Sequence, residues 1–314
     1  MLSVVRYSQQ EKDAWNSFNA SSKNPLFMFD RNYMDYHSER FADHSLMFYD
    51  ENRLIALLPM NEAGEMLVSH GGLTYGGFIT DAKMKQRTMN TCFDLLTSYA
   101  REKKIGKILY KSIPHIYHTQ PAEEDKYALF INGAKIEKVE SSTVINLKQP
   151  IKMTKGRRAQ ISRARREGVV VHALMDDSSF YDFICLENAV LAERHNTKAV
   201  HTGAELAMLH SRFPEHMHLY GAFYENALIA GVLIFEYEHV IHTQYMAAND
   251  LACSIGALDL TIDTIIEKYK ESKKWLDFGI STEDAGHKLN EGLISQKEGF
   301  GGRTNVYETY MLFL

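Results

Sequence analysis

Cysteine is scarce: three in 314 residues, Cys92, Cys185 and Cys253, lie far apart with no CxxC pair. That spacing excludes a disulfide framework and a cysteine zinc site, and predicts small buried apolar residues in a reducing cytoplasm. No stretch approaches the roughly 20 apolar residues that a membrane helix needs. The opening Met1-Leu2-Ser3-Val4-Val5-Arg6-Tyr7 lacks the basic-then-apolar order of a secretory leader. A cytoplasmic protein without a membrane span is the expectation. Positive charge is not in excess either, since the net charge is −5. This argues against wholesale coating of nucleic acid but leaves room for a local basic site. There is no P-loop, no GxGxxG, no GxSxG elbow and no HxxxH or HExxH pair on one helix face. The 14 histidines therefore read as hydrogen-bonded structural residues, and no metal is expected.

What is present looks globular: 45% hydrophobic and 24% charged residues, in a chain long enough for two domains with separate cores. The chain also repeats itself. Phe48-Tyr49-Asp50-Glu51-Asn52-Arg53-Leu54-Ile55-Ala56 reads as a hairpin, and Phe223-Tyr224-Glu225-Asn226-Ala227-Leu228-Ile229-Ala230 restates it about 174 residues later. Each copy continues with a strand (66–70; 239–245), an amphipathic helix and a short apolar strand (107–110; 274–278). Each then reaches a glycine before a last strand: Ile131-Asn132-Gly133-Ala134 against Lys297-Glu298-Gly299-Phe300. Capping boxes are read at Ser8-Gln9-Gln10-Glu11 and Thr202-Gly203-Ala204-Glu205. The reading is an α+β chain of two tandem domains with mixed central sheets, 1–149 and 150–314, with a ligand at or near their seam.

That order of elements resembles the acetyltransferase-like fold of the GCN5-related superfamily, in which two neighbouring strands splay apart around an acyl donor. Two such units bridged by a basic segment resemble the Fem-type aminoacyl transferases and their bacterial acyltransferase relatives. The residues that carry the likeness are Lys155-Gly156-Arg157-Arg158-Ala159-Gln160-Ile161-Ser162-Arg163-Ala164-Arg165-Arg166-Glu167-Gly168-Val169, Leu276-Asp277-Phe278-Gly279, and Gln296-Lys297-Glu298-Gly299-Phe300-Gly301-Gly302. The helical coiled-coil insertion of some Fem-type members is absent.

Between Lys152 and Gly168 there are seven Lys or Arg against one Glu. On a helix Lys155, Arg158, Ser162 and Arg165 share a face. Such cations suit a phosphate-bearing ligand, because guanidinium forks grip phosphate oxygens; equally, the face could be a solvated one paired with acidic neighbours. Lys297 beside a glycine-rich backbone would supply a cation and N–H donors to a developing oxyanion, and the resemblance implies that role. Asp277 would accept a proton from an attacking amine, or satisfy donors at a strand end. The resemblance implies that Arg194 contacts an acidic substrate; alternatively Arg194 and His195 cap helix-end carbonyls. In the first copy Tyr36 and His37 (or Arg40) stand where relatives carry an aromatic and a basic residue. Tyr245 is counted with the substrate-binding candidates. Gly256-Ala257 is the remnant of a pyrophosphate-binding helix start, without the basic residue that usually accompanies it.

The function these residues imply is an acyl or aminoacyl transferase that forms an amide bond on an amine acceptor. The donor would be a coenzyme A thioester or an aminoacyl-tRNA, with no tightly bound cofactor. Partners would be a phosphate-bearing small molecule or peptidoglycan precursor, and the acceptor end of tRNA. Two alternatives stay open: a coenzyme A-dependent N-acetyltransferase of a small molecule or sugar amine, and a non-catalytic module binding carbohydrate around residues 71–77.

Overall fold

The computed structural model describes all 314 residues except the side chain of His195. The chain begins with strand β1 (Leu2–Arg6), helix α1 (Lys12–Ala20) and the short helix α2 (Arg31–Met34). A hairpin of β2 (Leu46–Asp50) and β3 (Arg53–Leu58) follows, then the short strands β4 (Asn61–Ala63), β5 (Met66–Val68) and β6 (Ile79–Thr80). Helix α3 (Gln86–Glu102) leads to β7 (Lys107–Lys111), and α4 (Glu124–Ile131) to the long strand β8 (Lys135–Asn146). The second copy opens with α5 (Lys155–Glu167), β9 (Val170–Leu174), α6 (Asp177–His195) and α7 (Gly203–Arg212). Its meander is β10 (Met217–Tyr224), β11 (Ala227–Glu236) and β12 (Val240–Ala248). Then come α8 (Asp250–Ile255), α9 (Ala257–Tyr269) and β13 (Trp275–Ile280). The two-residue strands β14 (Thr282–Glu283) and β15 (Lys288–Leu289), helix α10 (Glu291–Glu298) and strand β16 (Arg303–Phe313) complete the chain.

Local chemistry sets several of these boundaries. The Thr202–Glu205 capping box forms in full at the start of α7, satisfying two helix-end donors at once. The one read at Ser8–Glu11 does not: Ser8 makes no cap bond, and a 3-10 turn precedes α1. Thr154 caps α5, and Gly168, at φ 85°, ends it, a left-handed exit that glycine adopts without a Cβ penalty.

The chain folds as two compact units. The first comprises Met1–Ser141, Thr282–Lys288 and Asn305–Leu314; the second comprises Ser142–Ser281 and Leu289–Thr304. The expected division after residue 149 differs from this, because β7 of the first unit pairs with residues 309–313 of β16. In the second unit β13 pairs with residues 142–146 of β8. Pairing of a strand edge with a segment distant in sequence leaves no composition signal.

The repeat is visible in detail. Both hairpins carry a β-bulge at the equivalent isoleucine: Ile55 is skipped between the pairs Phe48↔Ala56 and Tyr49↔Leu54, and Ile229 between Ala222↔Ala230 and Phe223↔Leu228. Each unit also holds one parallel pair, β5 with β7 and β12 with β13. In the first unit α3 buries Met89, Cys92, Phe93 and Leu96 against Phe48, Phe78 and Tyr110. In the second, α9 buries Ile262, Ile265 and Ile266 against Ile145, Val232, Ile241, Leu276 and Phe278. Of the cysteines only Cys92 is buried, with its thiol pushed up to about 12 by that burial. Cys185 and Cys253 are exposed, so the expectation of three buried cysteines holds for one alone.

Candidate functional site

In the second unit β12 and β13 pair over only three rungs: Val240↔Trp275, Ile241↔Leu276 and His242↔Asp277. Both strands then continue unpaired with each other, to Ala248 and Ile280. Just past the last rung β12 carries a bulge at Gln244, where its register with β11 shifts between Leu233↔Tyr245 and Ile234↔Thr243. A bulge bends and twists the strand that contains it. The result is the splay anticipated from the sequence.

Polar atoms collect at that parting. Asp277 is fully buried, and its Oδ1 accepts from the Ser142 hydroxyl at 2.5 Å and from the Gly279 N–H at 2.9 Å. Its Oδ2 lies 3.5 Å from His242 Nδ1, too long for a good hydrogen bond, and that nitrogen has no hydrogen-bond partner. Thr243 Oγ1, Gln244 Oε1, Ser281 Oγ and Thr143 Oγ1 are likewise buried without a partner. Native interiors leave few such groups, and a cluster of them calls for an explanation.

Lys297 joins this cluster from α10. It is only 3% exposed, and Nζ donates to the carbonyls of Gly279 at 2.9 Å and Ile280 at 2.7 Å. Burial lowers its pKa to about 8 against the opposing pull of Asp277. An ammonium has three N–H groups, so one remains for a ligand. The glycines after it have a packing reason. Gly301 sits at φ 95°, and a Cβ there would lie 2.2 Å from the Ile151 carbonyl oxygen, so only glycine fits.

The basic segment divides. Arg157 pairs with Asp259 at 2.7 Å and Arg165 with Asp263 at 2.6 Å, which ties α5 to α9. Lys155 and Arg158 are exposed, with no ion pair. Lys152, just before α5, lines a cavity of about 330 Å³ with Ile145, Leu147, Met153, Ile266 and Phe300; Lys155 and Arg158 do not. Helix α5 also closes over the start of α9: a Cβ on Gly256, at φ 80°, would sit 2.5 Å from the Gln160 carbonyl oxygen. Ala257 beside it is fully buried.

Arg194 donates to Asp250 at 3.1 Å and approaches the Ala248 carbonyl at 3.4 Å, at the end of β12. His195, named with it, falls outside the described side chains. Tyr245 lies one register step beyond the bulge, with its hydroxyl 2.6 Å from His201 Nδ1. In the first unit Tyr36 stacks on His37 at 4.3 Å, and His37 Nδ1 donates to the Met34 carbonyl at 2.7 Å. His37 stacks in turn on His70 at 5.2 Å.

Sequence reasoning missed His242, His201 and Glu187. His242 had a signal, because aligning strand 239–245 beside 274–278 sets it against Asp277. Glu187, in the middle of α6, is 7% exposed, and burial raises its carboxyl to about 7. Among the described residues no group of three or more His, Cys, Asp or Glu could hold a metal. No helix among them is long and apolar enough to cross a membrane.

This architecture, two α+β units in tandem with parted strands in the second, is the GCN5-related N-acetyltransferase-like fold in its Fem-type arrangement. The chain is similar to FemX, at TM-score 0.69 and 10% identity over 99% of this chain and 97% of that one. It is similar to the L-PGS of Bacillus licheniformis, at TM-score 0.62 and 15% identity over 90% and 91%. The tandem GNAT protein from the clavulanic acid biosynthesis pathway aligns at TM-score 0.53 and 10% identity over 99% and 98%. Neither a protein-family model nor a curated protein sequence matches the chain. At these identities the likeness is one of fold alone.

Proposed function

We propose that the second unit is an acyl or aminoacyl transferase that forms an amide on an amine acceptor, with the acyl carbonyl bound where β12 and β13 part. The observation carrying this reading is a buried lysine beside the parting, Lys297, together with a buried nitrogen of His242 that has no hydrogen-bond partner on the last rung. In this reading the amine nitrogen attacks the acyl carbon, and the free N–H of Lys297 holds the developing oxyanion. His242, whose buried Nδ1 has no hydrogen-bond partner, carries the proton lost by the attacking nitrogen to the departing oxygen or sulfur. Asp277 itself is too enclosed to be the base, with Oδ1 engaged by Ser142 and Gly279. No covalent enzyme intermediate is needed, since positioning supplies much of the acceleration.

The enclosed start of α9 supports an aminoacyl-tRNA over a coenzyme A thioester as donor. Gln160 fills the approach to Gly256, and Asp259 in the first turn of α9 is paired with Arg157. A pyrophosphate would have to displace both. The exposed Lys155, Arg158, Arg163 and Arg166 suit a nucleic-acid backbone or the phosphates of a peptidoglycan precursor. Arg194, at the end of β12, suits an acidic group on the substrate.

The test supplies labelled aminoacyl-tRNA and acetyl-coenzyme A separately, with a peptidoglycan-precursor pentapeptide and simple amines as acceptors. Amide formation from charged tRNA supports the reading. Transfer from the thioester alone would replace it with an N-acetyltransferase. Transfer from neither would leave the binding-module alternative.

A further inference from the structure

Helix α9 ends at Tyr269, and the chain from Leu147 to Thr154 passes its last turns as an irregular segment. Two pins hold that segment. Lys148 Nζ donates to the carbonyls of Lys270 at 3.0 Å and Glu271 at 2.6 Å. At the other end the Thr154 N–H donates to the Gly299 carbonyl at 2.9 Å. Between the pins lies the cavity of about 330 Å³, lined wholly from the second unit. Folded interiors hold few voids larger than a water molecule, so a space of this size has the dimensions of a ligand site.

Its buried side and its solvent side differ in chemistry. The buried wall is Ile145, Leu147, Ile266 and Phe300. The half-buried Met153 joins them, and its unbranched thioether adapts to a flexible guest. Toward solvent stand Lys152, Glu267 and Lys270. Glu267 and Lys270 pair with each other at 2.7 Å. The Lys152 side chain is exposed, with no hydrogen bond or ion pair, so the lining carries one uncompensated positive charge. The cavity is also separate from the parting of β12 and β13. Ile145 pairs with Leu276 and Val144 with Asp277, and successive residues of a strand face opposite sides. Ile145, Leu276 and Phe278 pack with α9, so Asp277 points to the other face of the sheet.

We propose that this cavity binds an alkyl carboxylate of about ten carbons, its chain against Ile145, Ile266 and Phe300 and its head at Lys152. The length follows from the volume, since a methylene takes about as much space as a water molecule, ~30 Å³. The head group follows from Lys152: a monoanion neutralises it, whereas an alkylammonium would meet a like charge. A sugar or nucleotide is disfavoured, because the buried wall offers no polar side chain to its hydroxyls or ring nitrogens.

Isothermal titration calorimetry of the full chain at pH 7, with sodium hexanoate, octanoate, decanoate and dodecanoate below their micellar concentrations, tests this. Affinity should rise about fourfold for each added methylene until the cavity is filled near decanoate, and then level off. No binding of decanoate, or an undiminished rise through dodecanoate, overturns the proposal. Met153→Trp, which fills the space from the irregular segment, should abolish decanoate binding at an unchanged melting temperature. Should that variant fail to fold, Lys152→Glu decides, because the position is exposed. It should weaken decanoate about three- to tenfold and leave 1-decanol as it was. Equal decanoate affinity in Lys152→Glu and wild type would mean an unspecific apolar surface and no carboxylate site. Decyltrimethylammonium binding to wild type as tightly as decanoate would mean the same.

Discussion

His242 and Asp277 form the last rung that joins β12 to β13, with Nδ1 and Oδ2 3.5 Å apart. Beyond them the strands separate, so the pair stands at the apex of the splay, at its buried inner end. Asp277 is anchored by Ser142 and by the Gly279 N–H. Replacing His242 by Gln should lower turnover about 10²–10⁴-fold, the usual worth of a positioned proton carrier, with little change in melting temperature. Asp277→Asn should cost activity too. Wild-type rates in His242→Gln would remove the proton-transfer role.

Lys297→Met separates charge from shape. Burial holds the folded pKa at about 8, below the ordinary 10.5 of a lysine, so the folded state disfavours the charged form. The stability this group contributes is greatest above pH 10.5 and is lost as pH falls toward 8. At neutral pH the charged lysine costs about 3 kcal/mol by that difference. Methionine removes that cost but leaves the Gly279 and Ile280 carbonyls unpaired, at about 1–3 kcal/mol each. Denaturant midpoints at pH 7 should therefore move little, while the wild-type rise in stability between pH 8 and 10.5 should vanish. Turnover should fall about 10²–10³-fold. A variant as active as wild type would end the oxyanion role.

Much of this was legible in the sequence because it follows from pattern. The repeated hairpin around Ile55 and Ile229, the Thr202 capping box and the glycine exit at Gly168 are local signals, and each survives in the structure. Lys297 stood out in the sequence beside its glycines, of which Gly301 owes its place to the Ile151 carbonyl oxygen that a Cβ would meet at 2.2 Å. The exchange of strand segments through β8 and β16 was not legible, because hydrogen-bond pairing between distant segments leaves no periodicity. Nor was the parting of Arg157 from Arg158. Adjacent on a helix, they point about 100° apart, and only packing decides which one meets Asp259.

That parting is itself testable. Arg158 is exposed and unpaired, so Arg158→Ala should leave stability within about 0.5 kcal/mol of wild type. It should weaken binding of a phosphate-bearing substrate, with a shallower salt dependence. Arg157→Ala instead strips the partner from Asp259, which is 6% exposed and already raised by burial. It should cost about 1–3 kcal/mol and loosen α5 from α9. Equal loss of stability in both variants would contradict the division of roles.

The first unit should carry an acid weakness of its own. Burial lowers His118 to about 4 and leaves its Nε2 without a partner. His70, also desolvated, is held well below the ordinary range, with His37 stacked against it. Both are kept neutral by folding, so their stability is fully present above about pH 6.5 and is lost as pH falls below it, because the unfolded chain takes up the protons first. Between pH 6.5 and 5 the His118 share amounts to about 2 kcal/mol. His118→Gln keeps a polar side chain but cannot charge, so its urea midpoint should fall less steeply than wild type over that interval. The two should differ by a constant above pH 7. Parallel curves through the whole range would mean that His118 titrates alike in the folded and unfolded chain, and that its burial in the first unit is looser than the packing implies.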